Sequence, residues 1–457
     1  MLLLFAASPT FGGDWETGVG GSASRAGLST DVGPLSANIL WQGSLPAIVA
    51  GQAVIGQDLV IVTRITSFTI PTGTTIVAHD RLTGDIVWTA QLPFNFPDSW
   101  RSRVSAIRDN QVYATRSGNT AADFLYALDP ADGEILWESE DVIVESSTES
   151  PSFADNGDLI VGSFGSLMRI DRTDGSTVWS VPRSCPTTDG CAPAVFGDRA
   201  YIWEASGSGP KVTVFDVEDG AALYSSDGIG GGIIQQVGLF VGPDGTVYAP
   251  RTQNNPMTDF FTALEDTGEA LVEKWSVPMG YVPFASFAVG PDATVYTYAP
   301  DNQIIRLDPK DGEVIDSSGP IPFDFPMIPR MAIDAHGKVF VTNGGFPSGR
   351  LLAFDADLAL RWSSPITNVN IGGPAIGDGG VLVVCGIGTD VRAYQTVLGD
   401  DDGDGAVDLD DLVGFTECMT GPTGDDLGGD CEIFDFDNDD DVDLRDFGAF
   451  GGNFGGG

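Results

Sequence analysis

The sequence has only two histidines, five cysteines with no C-x-x-C and no adjacent pair, and 22 basic residues against 65 acidic ones. Each scarcity excludes something. A nucleophilic triad needs an imidazole base, but His79 lies inside a strand-like run at a position filled elsewhere by Leu, Ile or Phe, and His336 lies in the turn "DAHGKV". Both read as structural. Without C-x-x-C there is neither a zinc ribbon nor a haem-attachment motif. A formal charge of -43 argues against nucleic acid or an anionic membrane bound through a basic face and favours cationic partners. No run approaches the roughly 20 apolar residues of a spanning helix. "GIGGG" (228–232) and "CGIG" (385–388) lack the spacing of a dinucleotide loop and mark strand ends.

Sixty glycines, 28 prolines and 42% apolar residues in a chain of 457 predict a turn-rich β protein with a large core and more than one domain. The opening "MLLLFAASPTFGG" has the apolar and small-residue character of a secretory signal but not its basic front. Residues 1–14 are therefore expected to be a truncated signal remnant, and the protein to be secreted or at the cell surface. No cysteine follows that could carry a lipid. Cys185 and Cys191 bracket "CPTTDGC", and Cys418 and Cys431 bracket "CMTGPTGDDLGGDC". Both pairs are expected to form disulfides in an oxidising compartment, with Cys385 a buried strand residue.

Self-similarity sets the architecture. "AHDRLTGDIVW" (78–88) returns as "ALDPADGEILW" (127–137), "RIDRTDGSTVW" (169–179), "VFDVEDGAALY" (214–224) and "RLDPKDGEVID" (306–316), with looser copies at 263–275 and 353–362. The acidic third position falls at 80, 129, 171, 216, 265, 308 and 355, steps of 42 to 49 residues. Each copy reads as a hairpin, and each is preceded by further short apolar runs, so a period holds four strands. That is a propeller blade. After the seventh copy "VRAYQT" supplies a third strand with no fourth, whereas "NILWQGSLP" near the N-terminus offers a fourth strand with no first three. The fold predicted is an all-β, eight-bladed propeller over 15–398, its last blade closed by both chain ends. Trp41, Trp88, Trp137, Trp179, Trp275 and Trp362 occupy the blade-closing position, and Tyr224 and Asp316 replace Trp in two blades, where weaker joints are expected.

The motif Ala-x-Asp-x-x-Thr-Gly-x-x-x-Trp, matched throughout by residues 78–88, resembles that of quinoprotein-like β-propellers, or PQQ repeats, over roughly residues 15 to 397; "DWETGVGGSASRAGLS" looks like their lead-in. Active dehydrogenases of that family hold their quinone over a vicinal disulfide, and no such pair occurs here, so no PQQ is expected and no catalytic residue is assigned. "PFNFPDSW" (93–100) and "PIPFDFPM" (320–327) read as inter-blade packing, the functional alternative being stacking on a sugar or a partner protein.

From Gly399 the composition changes to 19 acids and one base. A calcium loop of EF type places ligands at positions 1, 3, 5, 7, 9 and 12 with Gly at 6. Asp400, Asp402, Asp404, Ala406 (through its carbonyl), Asp408 and Asp411 fill those positions, with Gly405 at six. The second copy offers Asp435, Asp437, Asp439, Asp441, Asp443 and Asp446, but Asp440 stands where Gly is expected, so weaker binding is predicted there. Val407 and Val442 sit at position eight of each loop. The tandem, a small helical domain over 399–457, resembles type I dockerins. The resemblance implies two Ca2+ ions and docking to a cohesin-type scaffold protein through positions ten and eleven, here Leu409, Asp410, Leu444 and Arg445. The glycine-rich "GAFGGNFGGG" is a poor helix former and puts the second helix in doubt. The expected protein is thus a monomeric, secreted, non-catalytic binding module, its propeller presenting a face to a glycan or protein and its tail docking through calcium. The alternative is a polysaccharide-acting enzyme delivered by the same tail.

Overall fold

The third and fourth strands of every repeat form the hairpin that the motif encodes. The computed structural model describes residues 14–454 apart from 68–72, 119–120, 145–149, 186–191, 230–231, 234–237, 255–256, 283–285, 323, 327, 345–347, 402–405, 423–426, 428–430, 438 and 440. In blade one, antiparallel strands Val54–Gly56, Leu59–Ile65, Thr74–Asp80 and Ile86–Ala90 run from the axis outward. Blades two to seven repeat this over 103–138, 152–182, 194–225, 232–280, 287–317 and 331–367. Blade eight combines Ala375–Gly377, Val381–Cys385 and Val391–Tyr394 with the N-terminal strand Ile39–Gln42, and Trp41 pairs with Ala393. The eighth blade closes as predicted.

The physical basis of the motif is visible at each turn. The Asp side chain accepts backbone N–H groups two or three residues on, as in Asp80 with Leu82 and Thr83 or Asp216 with Glu218. The Gly amide donates to the Asp carbonyl, at 2.8–3.0 Å for Gly84, Gly133, Gly175, Gly220 and Gly312. These glycines have φ of 73–77°, and a Cβ would come within 2.5–2.7 Å of the closing Trp ring of the preceding blade. Only glycine meets both demands. Each Trp indole N–H then donates across the joint at 2.7–3.1 Å: Trp41 to Arg81, Trp88 to Pro130, Trp137 to Arg172, Trp179 to Val217, Trp275 to Pro309 and Trp362 to Pro34.

The two joints without Trp carry replacements. The Tyr224 hydroxyl donates to Asp266 of the next blade at 2.6 Å, where Arg199 and Tyr201 also converge. After blade six, Asp316 turns back to Arg306, the Tyr296 hydroxyl donates to the Ala356 carbonyl, and Leu358, buried at φ 65°, stands where other blades have the turn glycine.

A register shift just before the blade-closing residue, aromatic in all blades but the sixth, recurs in the last hairpin of every blade. Strict alternation would turn one of the two preceding apolar residues inward. The bulge instead leaves both outside, as with Ile86 and Val87, or Ile135 and Leu136, while only the Trp is buried.

The lead-in is a further structural element. From Trp15 it runs around the axis and meets the innermost strand of seven blades in turn. Ile55 and Ile107 donate to the carbonyls of Trp15 and Glu16, the Ser152 hydroxyl and Val195 to Ala23, Val241 to Ser24, Val289 to Ala26, and Ile333 to Gly27. It thereby pairs strand edges that would otherwise face the channel. Trp15 is fully buried. Two lead-in acids are strained electrostatically. Burial, with Asp14 and Asp109 adding and Arg108 opposing, pushes the Glu16 carboxyl up to about 7.

A raised acid keeps its proton in the folded chain after the unfolded chain has lost it. Its contribution is therefore neutral below the unfolded value of 4.5 and turns destabilising as pH rises toward 7. Glu16→Gln is expected to flatten the fall in melting temperature between pH 5 and pH 8, on the order of 1–3 kcal/mol at pH 8. Equal pH slopes for the two proteins would refute this.

His79 is buried, bonded to the Gly84 carbonyl and the Ser44 hydroxyl and stacked on Trp41, and Cys385 is a buried free thiol. In the aromatic loops, Arg116 lies over Phe94, which stays 44% exposed, Phe96 meets Phe124, and Phe325 meets Tyr298. The expected Cys185–Cys191 ring has its second cysteine outside the described residues.

Candidate metal centre

Residues 399–454 fold around an aromatic core of Phe415, Phe434 and Phe450 with Val407 and Val442. The position-eight valines share this core, as their spacing suggested. Helix α1 spans Leu412–Cys418 and α2 spans Leu444–Asn453. The second helix forms despite its glycines. Asp443 caps it by accepting the Arg445 amide, Asp446 reaches back to the Asp443 amide, and Phe450 anchors the buried face. The predicted Cys418–Cys431 disulfide is present and ties the end of α1 to the turn before the second loop.

The two loops share one hydrogen-bond scheme. At position twelve, Asp411 accepts the amides of Asp401 and Asp408 at 2.7 and 2.8 Å, and Asp446 those of Phe436 and Asp443 at 2.8 and 2.8 Å. Positions two and nine are thus drawn onto position twelve in both copies. Asp411 and Asp446 are 1% and 0% exposed. In both loops each oxygen of the position-twelve carboxylate accepts a backbone N–H.

In the second loop the carboxylates fall in two groups. Oxygens of Asp435, Asp437 and Asp439 lie within 4.8 Å of one another, and so do those of Asp441, Asp443 and Asp446. In the first loop Asp400 is fully buried, Ala406 and Asp408 are half-buried, and Asp402, Asp404 and Gly405 lie outside the described residues, as does Asp440 in the second. Slight desolvation, then repulsion from Asp439 and Asp446, raises the carboxyl of Asp437, which stays exposed. A set of oxygen donors that repel one another is the chemistry of a hard divalent cation, calcium before zinc.

The positions read as partner-facing are exposed: Leu409 at 68% and Leu444 at 75%, with Asp410 beside the first. Arg445 has a second neighbour set, because its guanidinium lies 3.4 Å from Asp439 and 3.9 Å from Asp437. A fixed positive charge there competes with a cation in the same loop. Arg445→Ala is expected to tighten calcium at the second loop several-fold, about 1 kcal/mol at an effective dielectric near that of a protein surface. Calorimetric titration of the full chain reads this directly, and unchanged affinity would remove Arg445 from the site.

Sequence reasoning missed the residues that seat this module on the propeller. Asn38 donates to Asp400 at 2.5 Å, Lys338 to Glu432 at 2.5 Å, and His336 stands 3.9 Å from Glu432. Burial opposes charge on Glu432, yet His336 and Lys338 hold its carboxyl down at about 2. None of the three propeller residues belongs to a motif, so no local signal marked them.

On the propeller itself, two depressions stand out. An axial cavity of ≈ 80 Å³ is floored by Gly18 and Val19 of the lead-in and walled by Thr63, Arg103, Arg330 and Ile371. An open groove of ≈ 510 Å³ lies at the joint of blades four and five, where Tyr224 replaces Trp, lined by Phe196, Arg199, Asp244, Glu265, Asp266 and Lys274.

These features define an eight-bladed β-propeller built from PQQ repeats. Residues 72–318, more than half of the chain, match the family model described as outer membrane protein assembly factor BamB, and the chain belongs to that family. Among solved structures, it is similar to a quinohemoprotein alcohol dehydrogenase from Comamonas testosteroni (14% identity, 83% of this chain and 80% of that one, TM-score 0.56). It is also similar to a europium-containing methanol dehydrogenase (12% identity, 82% and 90%, TM-score 0.55) and to the computationally designed Ika8 protein (14%, 78% and 99%, TM-score 0.53). At such identities the likeness concerns the fold. No curated protein sequence matches the chain.

Proposed function

We propose that this protein is a secreted, non-catalytic binding module whose C-terminal domain binds two calcium ions and docks to a cohesin-type scaffold protein. The observation that carries this reading is the symmetric pair of position-ten leucines. Leu409 and Leu444 occupy the same place in each loop and both stand in solvent, flanked by Val413 at 62% and Phe447 at 47% exposure. Apolar side chains so exposed beside two metal loops form a surface that rewards covering. Leu409, Asp410, Leu444 and Arg445 would face the partner, and Asp400, Asp402, Asp404, Ala406, Asp408, Asp411, Asp435, Asp437, Asp439, Asp441, Asp443 and Asp446 would hold the ions. The propeller is the presenting scaffold, and its groove at blades four and five, with exposed Phe196 among charged residues, suits a glycan or a protein loop. Membership of a family described as an assembly factor supports binding over catalysis.

The test is retention of the full chain on immobilised cohesin modules. Retention in calcium, loss on chelation, and loss in a Leu409→Asp, Leu444→Asp double variant are expected. If no cohesin retains the wild type, the docking role is withdrawn and the tail is a calcium-stabilised appendage.

A further inference from the structure

The buried ligand position Asp400 is joined to the propeller at its most vulnerable seam. Among the described blades, blade eight is the one assembled from both ends of the propeller sequence, Ile39–Gln42 on Val391–Tyr394. The residue just before the closing strand is Asn38. Its side-chain amide donates to Asp400 Oδ2 at 2.5 Å, and its carbonyl accepts the Gln395 amide at 3.3 Å. Three residues earlier, the Leu35 amide donates to the Thr396 hydroxyl at 3.0 Å, and the Leu35 side chain packs against the tail core with Val397. Only five residues separate the other strand of the seam from the first loop. Both strands therefore end on the same loop, one through Asn38 and one through the chain itself.

We infer that Asn38 is a positioning residue for the first calcium loop, and that calcium bound there fastens the closing strand of the propeller. The inference rests on the calcium reading of the tail and goes beyond it. A ligating carboxylate that receives a hydrogen bond on one oxygen is fixed in orientation and presents the other to the metal. Asp400 is fully buried, and the Asn38 amide and a bound metal would act on the same carboxylate. Coupling of this kind is reciprocal. Whatever holds Asn38 in place raises calcium affinity, and calcium raises the residence of Asn38 and the strand it leads by the same factor. The anchor at Lys338 and Glu432 holds the tail to blade seven through two side chains that occupy no ligand position of either loop, which makes it the comparison variant.

The experiment uses the full chain with calcium ion as the probe. Hydrogen exchange of residues 39–42 is followed in calcium and in chelator, with calorimetric titration in parallel. In the wild type, calcium should slow exchange of these amides at least tenfold. Asn38→Ala should weaken one of the two calcium sites about 10–100-fold and abolish the calcium-dependent protection, whereas Lys338→Met should leave that affinity within about threefold. Asp400→Asn, which keeps the shape, should reproduce the loss of protection if Asn38→Ala folds poorly. Calcium binding without added protection of residues 39–42 in the wild type would overturn the coupling and leave the calcium reading standing. No calcium binding at all would overturn both. Equal protection in wild type and Asn38→Ala would remove Asn38 from the role.

Discussion

Trp15→Ala is expected to destabilise the propeller by about 3–5 kcal/mol, the range for emptying a buried large aromatic site. The ring is fully buried in the core that also holds Ile55, Val60 and Ile376, and it packs so closely on Gly21 that a Cβ there would stand 2.6 Å away. Its carbonyl meanwhile receives the Ile55 amide, so losing the ring loosens the first contact of the lead-in. Trp15→Phe should cost much less. Phenylalanine keeps most of the apolar area and deletes an indole N–H that has no partner among the described residues. Urea unfolding of both variants reads the difference. A Trp15→Ala midpoint indistinguishable from wild type would show that the lead-in lies outside the cooperative unit.

Changing either position-twelve aspartate should have a comparably large effect on the tail. Asp411→Ala strands the amides of Asp401 and Asp408, and Asp446→Ala those of Phe436 and Asp443. Each of these part-buried hydrogen bonds to a charged group contributes about 1.5–3 kcal/mol. The same substitution deletes a carboxylate from the proposed metal site, and where folding and metal binding are linked the two losses combine. Calcium affinity of the altered loop should fall by at least about 100-fold, and proteolysis should open residues 399–454 at calcium concentrations that protect the wild type. Titration of the full-chain variants decides it; unchanged affinity would show that the loop does not hold the ion.

The propeller was legible because its chemistry repeats. Asp80, Gly84 and Trp88 each do one job, and seven more or less faithful copies put those jobs on view. The closing strand was legible for the same reason, since Trp41 was a fourth-strand residue without a blade. What was hidden has no period. The lead-in touches seven blades through one or two hydrogen bonds each, from irregularly spaced residues, so nothing in its sequence repeats. The bulges before each Trp were hidden too, because strict alternation assigns an inward place to one of Ile86 and Val87 that the extra residue cancels. In the tail, ligand spacing was plain from Asp400 and Asp435 onward, and the Cys418–Cys431 pair followed from its bracket. Asn38, Lys338 and the approach of Arg445 to Asp439 could not be read, being contacts set by how two units pack or by side-chain direction.

The path of residues 15–29 has a consequence for the order of assembly. These residues leave the ribosome before any blade exists, yet their hydrogen-bond partners extend to Ile333. A segment that pairs across such separations cannot find its place until the chain around it has been made and has folded. A stretch synthesised ahead of every blade is thus among the last to settle. Until then the inner edges of all the finished blades stand open, which makes the nascent propeller most exposed to misassociation late in its synthesis and not early.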